Sequence, residues 1–331
     1  MPRTALRLAT AALATAALST TALAGDFTTK RVEFLSGQDR IVGTLYVPAE
    51  ARGPTPAVLV EGPQTNHKDM VPATYAAKLA RAGYVALTFD HRTFGESSGV
   101  VRNNENPHMK VEDVRQALAF LKTRPEVKAD AIGLIGICSG GGYSAKAAAS
   151  EPDLKAVVTI AGFFHDPAVF RAWLGDKYEA RVELGRQARL TFERTGEVDY
   201  MKNVSRDLNE ELAMPGQEAY DYYGTARNTG ARWENRSATM FFESFLQFNS
   251  IDAGPEIRAA TMVIHSDKAL VPEGAKRFYD SLRGEKKLHW MITREHISFY
   301  DEQPVVDEAA AQAISWFSTH LGTPQSRIAQ N

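Results

Sequence analysis

The stretch "LIGICSGGGYSAKAAA" (residues 134–149) holds the single cysteine of a 331-residue chain, Cys138, between Gly136 and Gly140. An apolar run leads into it and an alanine-rich run leaves it, so the spacing predicts a strand, a tight turn and a helix. A nucleophile displayed on such a turn needs small neighbours two residues away on each side, because larger side chains would strike adjacent backbone. The glycine register fits a nucleophile at 138. A nucleophile at Ser139 would need glycine where Ile137 stands. A thiol at a helix N-terminus is also expected to favour thiolate, through the macrodipole and the free backbone N–H groups. The competing reading is a buried, inert small hydrophobe.

The elements around this turn alternate. "RVEFLSGQDRIVGTLYVP" (31–48) reads as two antiparallel strands about a Gly-Gln-Asp turn. Apolar strands at 56–63, 84–92, 131–140, 155–162, 260–267 and 286–293 are interleaved with helical segments at 69–83, 111–125, 273–284 and about 305–321. Buried strands alternating with helices imply a parallel sheet covered on both faces. The alternation stops between Phe163 and Glu256, where aromatic residues and charged helical stretches such as "YEARVELGRQARLTFERTG" replace it. Both ends of that insertion are expected to emerge at the carboxyl edge of the sheet and the segment to form a lid over the turn at Cys138.

The elbow, "FDHRTFGESSG" (89–99), "DVRQALAFLKTRPEV" (113–127) and "REHISFYD" (294–301) together resemble the α/β-hydrolase superfamily over nearly the whole chain after its leader. Cysteine in place of serine resembles the dienelactone-hydrolase branch. "EGPQTNHKD", "GICSGGGYS" and "HSDKALVP" are similar to polyketide-transferase-like hydrolases. The resemblance implies an α/β-hydrolase fold: a mostly parallel eight-stranded sheet with helices on both faces and a helical cap inserted after strand 6. The implied organisation is a leader at 1–24, a core at 25–162 and 257–322, a cap at 163–256 and a loose tail at 323–331.

It further implies a Cys-His-Asp triad acting through an acyl-enzyme. His296, beyond the last strand, is the expected base, and His289 within that strand is expected to pack or face solvent. Asp267 is the expected acid, although the usual spacing would place it near Ala269, and Asp166 is the alternative. The expected oxyanion donors are the backbone N–H groups of Ser139 and Gln64. Glu61 falls where dienelactone hydrolases place a glutamate against the resting thiol, and His67, Lys68, His91 and Arg92 have two readings, as a border of the pocket or, more commonly for such residues, as solvent-facing or corner positions.

The implied activity is hydrolysis of an ester, lactone or thioester of a mostly apolar small molecule. The alternatives are acyl transfer from the same acyl-enzyme, or a non-catalytic small-molecule-binding homologue. A net charge of −2 supplies no field for nucleic acid or an anionic membrane. No cofactor or metal is expected: the eight histidines are scattered and "GICSGGG" lacks the dinucleotide-binding spacing. Residues 1–24, with early arginines, a short alanine-rich apolar run and Ala22-Leu23-Ala24 at its end, read as a signal peptide for the general secretory route. The expected location is therefore periplasmic or secreted. One cysteine precludes an internal disulfide.

Overall fold

The structure is a computed structural model and describes residues 26–324; the leader at 1–24 and most of the expected tail lie outside the described residues. The chain begins with an antiparallel hairpin, β1 (Phe27–Ser36) and β2 (Asp39–Pro48). There follow β3 (Thr55–Glu61), α1 (Val71–Arg81), β4 (Val85–Asp90), α2 (Pro107–Lys122), β5 (Val127–Ile137), α3 (Ser139–Ala149) and β6 (Ala156–Ile160). Between β6 and the next long strand come α4 (Pro167–Leu174), α5 (Lys177–Thr195), β7 (Tyr200–Met201), α6 (Gln217–Tyr223), β8 (Ser237–Ala238), α7 (Phe241–Phe245) and a 3-10 turn at Ile251–Glu256. The core resumes with β9 (Ala260–Ser266), α8 (Pro272–Ser281), β10 (Lys286–Met291), α9 (Ser298–Asp301) and α10 (Gln303–Leu321).

Eight strands form one sheet in the order β1-β2-β4-β3-β5-β6-β9-β10. The first two pairings in that order are antiparallel and the remaining five are parallel. β3, β4 and β6 are buried along their whole length, which is why they read as unbroken apolar runs rather than alternating ones. The outer strand β1 instead carries Lys30, Arg31 and Glu33 on its exposed positions, a charge pattern that blunts an open edge. α1 and α10 pack on one face, through Tyr75, Leu79, Val306 and Phe317. α2, α3 and α8 pack on the other, through Val114, Leu118, Ala145 and Phe278.

The carboxyl ends of β3, β5, β6, β9 and β10 share one edge. The loops following them carry Gln64, Cys138, Phe163, Asp267 and His296, as the general rule for ligand sites in open α/β sheets requires. At the centre of this edge the backbone is tightly packed. A Cβ on Gly136 would lie 2.4 Å from the Gly140 carbonyl oxygen, and one on Gly140 would lie 2.4 Å from the Gly62 carbonyl oxygen. Both obstacles are main chain and cannot swing aside. Gly136→Ala and Gly140→Ala are therefore expected to cost about 1–3 kcal/mol each by overpacking, whereas Gly53→Ala, with nothing nearby, should be close to neutral. Urea titrations of the three variants check this ordering.

Candidate active site

Cys138 occupies the junction of β5 and α3 with φ 54° and ψ −124°, a left-handed conformation that a non-glycine residue adopts only when its surroundings impose it. Three main-chain bonds impose it. Its N–H donates to the Ile160 carbonyl at 3.1 Å, and its own carbonyl accepts from Gly141 N–H at 2.8 Å and Phe163 N–H at 2.7 Å. The side chain is 6% exposed and the thiol is free. Burial pushes the thiol above its ordinary value and outweighs the Tyr300 hydroxyl, Ser139 and the Gln64 N–H, which act to lower it; the thiol itself faces Ser139 Oγ at 4.0 Å. The helix terminus does not make a resting thiolate here, contrary to the expectation from position alone, because desolvation outweighs it.

The structure brings Ser139 and Gln64, whose N–H groups are the expected oxyanion donors, to the cavity that Cys138 lines. Gln64 sits in a loop pinned from three directions. Beneath it, the buried carboxylate of Glu105 accepts Thr65 N–H at 3.0 Å while also taking the Tyr143 hydroxyl at 2.8 Å and pairing with Lys110 at 2.7 Å. From above, the Tyr223 hydroxyl donates to the Gln64 carbonyl at 3.2 Å and Trp233 Nε1 donates to Thr65 Oγ1 at 3.1 Å. Beside it, Lys68 is locked onto Asp90 at 2.8 Å and Glu96 at 2.6 Å. Lys68 and His67 are thus buried loop anchors rather than pocket rims.

His296 is buried beside Tyr300 and lines the same cavity as Cys138. Its Nε2 lies 3.1 Å from the Tyr300 hydroxyl, and its Nδ1 accepts the Leu270 N–H at 3.2 Å. An N–H therefore stands where a histidine base ordinarily meets its acid. Burial first, and the neighbouring His265 second, hold His296 down to about 3.

Neither expected acid reaches the ring. The Asp267 side chain is 74% exposed and lies 3.9 Å from Lys276. Asp166 caps α4 by accepting Ala168 N–H at 2.8 Å and pairs with Arg277 at 2.8 Å. His289 pairs with Glu308 at 2.8 Å on the half-exposed outer strand.

Glu61 ends β3 in register with Gly136, next to the elbow. Its two oxygens are held by His91 Nε2 at 2.8 and 2.9 Å, and the opposite nitrogen, Nδ1, lies 3.1 Å from Asp113, which in turn pairs with Arg92 at 2.6 Å. Burial alone would lower His91, but Glu61 and Asp113 reverse it and raise the ring above its ordinary value. The Glu61–His91–Asp113–Arg92 row is a buried support under the elbow, with Glu61 engaged by His91.

A cavity of about 510 Å³ opens over the thiol. Its floor is Gln64, Cys138, Ser139, His296 and Tyr300. Its walls come mostly from the segment after β6: Phe163, Phe170 and Trp173, Met214 and Tyr223, and Phe241, Phe242 and Phe245. The cap segment also reaches down to the base loop, where Glu218 accepts Ile297 N–H at 2.7 Å. Nothing in the sequence marks Glu105 or Glu218, and Tyr300 and Tyr223 stand there only as a residue of the "REHISFYD" stretch and one of the aromatics between Phe163 and Glu256. Among the described residues no group of histidine, cysteine, aspartate and glutamate side chains forms a metal cluster, and no helix is long and apolar enough to cross a membrane.

The sheet order, the strand-to-helix turn at 138 and the loops gathered at one edge define an α/β hydrolase, and the protein is a hydrolase. A family model for X-Pro dipeptidyl-peptidase (S15 family) matches residues 36–297, and the chain belongs to that family. It is 28% identical over 279 residues to the uncharacterized protein YcjY of Escherichia coli, covering 80% of this chain and 89% of that one. It is 23% identical to the thiohydrolase aneE of Aspergillus aculeatus (81% and 86%) and 21% identical to the acyltransferase drtE of Aspergillus calidoustus (87% and 94%). The crystal structure of the hypothetical protein PA2218 from Pseudomonas aeruginosa superposes with a TM-score of 0.80 at 25% identity, covering 91% of this chain and 96% of that one. A dienelactone hydrolase from Anabaena variabilis shares the fold at 0.54 and 16% identity (89% and 99%).

The buried histidines set an acid limit. Burial holds His165 to about 3, His265 to about 4 and His296 to about 3. Unfolded, each takes up a proton near pH ~6.5, so between about 6.5 and 4 the unfolded chain binds more protons and stability falls as pH falls. His91 has the opposite sign: its raised value gives a contribution that is full below about 6.5 and is lost as pH rises through its folded value. Urea titrations are expected to lose stability on going from pH 6.5 to 4.5, with a slope approaching about 1.4 kcal/mol per pH unit for each of these three histidines, and His67, also lowered by burial, acts in the same sense. A flat profile there contradicts the assignment.

Proposed function

We propose that this chain is an exported hydrolase of apolar acyl thioesters or esters, with Cys138 as nucleophile, the Ser139 and Gln64 N–H groups as oxyanion donors and His296 as base. The observation that carries the reading is a free thiol held in a left-handed turn on the floor of an aromatic cavity, with Ser139 and Gln64 lining that floor beside it. As the sulfur adds to an acyl carbonyl, the developing oxyanion takes those donors over. The leaving alcohol or thiol departs, and water later releases the acid and restores the thiol. Asp267, exposed beside Lys276, is not part of this arrangement, and His296 acts as base without a dedicated carboxylate. Asp166 is committed to its helix cap and Arg277.

A thioester or ester fits this cavity better than a peptide. Binding a free α-amino group needs an available carboxylate, and Glu218, the carboxylate lining the cavity, has an oxygen committed to Ile297 N–H and is raised by burial toward its neutral form. Similarity to proteins named thiohydrolases supports thioester cleavage. Transfer to an alcohol or amine is the second reading, favoured by apolar walls that limit water around the acyl-enzyme.

Incubation with a decanoyl thioester followed by intact-protein mass spectrometry is expected to show one acyl group, mapped to Cys138 and lost in Cys138→Ala. Hydrolysis that survives full alkylation of Cys138 would falsify the assignment. Trp173→Ala and Phe245→Ala should lower kcat/KM for decanoyl relative to acetyl substrates by roughly tenfold, since each removes apolar contact to the remote part of the chain. Export through the leader at 1–24 is checked by N-terminal sequencing of the exported protein, expected to start at Gly25.

A further inference from the structure

The geometry points to Tyr300 as the group that carries the proton between the Cys138 thiol and the His296 ring, an inference that rests on Cys138 being the nucleophile. Tyr300 belongs to α9, the single turn after the His296 loop, and is fixed by its own N–H on the Ile297 carbonyl at 2.8 Å and by the Tyr75 hydroxyl on the adjacent Phe299 carbonyl, also at 2.8 Å. Its hydroxyl has two polar neighbours. One is His296 Nε2 at 3.1 Å; the other is the Cys138 thiol, which shares the cavity floor with it and whose proton the Tyr300 hydroxyl makes easier to lose. No hydrogen bond joins thiol and imidazole directly, so a proton leaving Sγ for His296 passes over the Tyr300 oxygen. The residue also lines the cavity, where the reacting acyl group must lie.

The direction of the chain identifies its resting state. Because Leu270 N–H points at Nδ1, the neutral ring carries its proton on Nε2, donates it to Tyr300 Oη, and the Tyr300 O–H in turn faces the sulfur. All three donors run toward the thiol. For attack the row must reverse: the ring carries its proton on Nδ1, Tyr300 donates to Nε2 and the thiol donates to Oη. Leu270 lines the cavity and is followed by Val271 at φ 50°, a strained conformation for a β-branched residue, so an entering acyl chain meets the segment that has to give way. In the reversed row the S–H bond breaks as the bond from sulfur to the acyl carbon forms. The thiol proton passes to Oη while the Tyr300 proton passes to Nε2, and the same two transfers run backward to protonate the leaving group.

The test is single-turnover acylation of the full-length protein by a decanoyl thioester, comparing wild type, Tyr300→Phe, His296→Gln and the double variant. Each single substitution is expected to slow acylation by ~100-fold with KM within about twofold, and the double variant should be no slower than the slower single, because both remove one relay. A Tyr300→Phe enzyme within about threefold of wild type, or a double variant whose losses multiply, overturns the relay. If Tyr300→Phe melts early, the proton inventory of the wild type in mixed H2O and D2O decides: a bowed dependence supports two protons in flight, and a straight line overturns it. Failure of the underlying reading is distinguished by Cys138→Ala, which would then keep turnover.

Discussion

The close approach of main chain to main chain at the elbow constrains everything above it. With Gly62, Gly136 and Gly140 carbonyls and α-carbons in contact, the only route from β5 into α3 is the left-handed turn that Cys138 adopts. That turn aims the thiol outward from the sheet. It also hands the Cys138 carbonyl to Gly141 and Phe163, which fixes where the chain leaves β6 and hence where the cap begins. Cys138, the loop of Gln64 and the segment leaving β6 are thus one packed unit, and a single added methyl group disturbs all three.

Beneath that unit the protein places charge where a larger apolar layer would be simpler. Glu61, His91, Asp113 and Arg92 form one buried row; Glu105, Lys110 and Tyr143 form another; Lys68, Asp90 and Glu96 form a third. Buried ion pairs contribute little net stability against well-packed apolar replacements, but losing one partner leaves an uncompensated charge. Their effect here is geometric. Each row ends on backbone that must not move: Thr65 N–H on Glu105, Arg92 N–H on Asp113, and Lys68 N–H on Asp90. Directional bonds hold loops that have no regular secondary structure of their own.

How much of this was legible in the sequence follows from the range of each interaction. The sheet and its helices came from local periodicity, and the elbow from glycines two residues either side of the cysteine. Gln64 and His296 could be placed because topology puts their loops at one edge. What escaped were contacts between residues far apart in the chain with no periodic mark: Tyr223 with Gln64, Glu218 with Ile297, Glu105 with Thr65. His91 looked like a pocket-rim residue because nothing local reveals that Glu61 and Asp113 enclose it. Asp267 was placed by strand order, which locates a loop at an edge but does not say whether a side chain or a backbone N–H will face the histidine.

The cap's bonds to the core have a consequence for how this fold can diverge. Tyr223 and Trp233 hold the loop of Gln64 and Thr65, and Glu218 holds the loop of His296, so the segment over the cavity is not an interchangeable module. A lineage that swapped the whole segment for another would lose the alignment of both loops along with its old cavity walls. Divergence is therefore channelled into the ceiling, through residues such as Phe170, Trp173, Phe241 and Phe245, which touch the cavity and form no hydrogen bond to either loop. The segment has an inherited half that keeps two loops of the core aligned and a free half on which new cavity shapes can be tried.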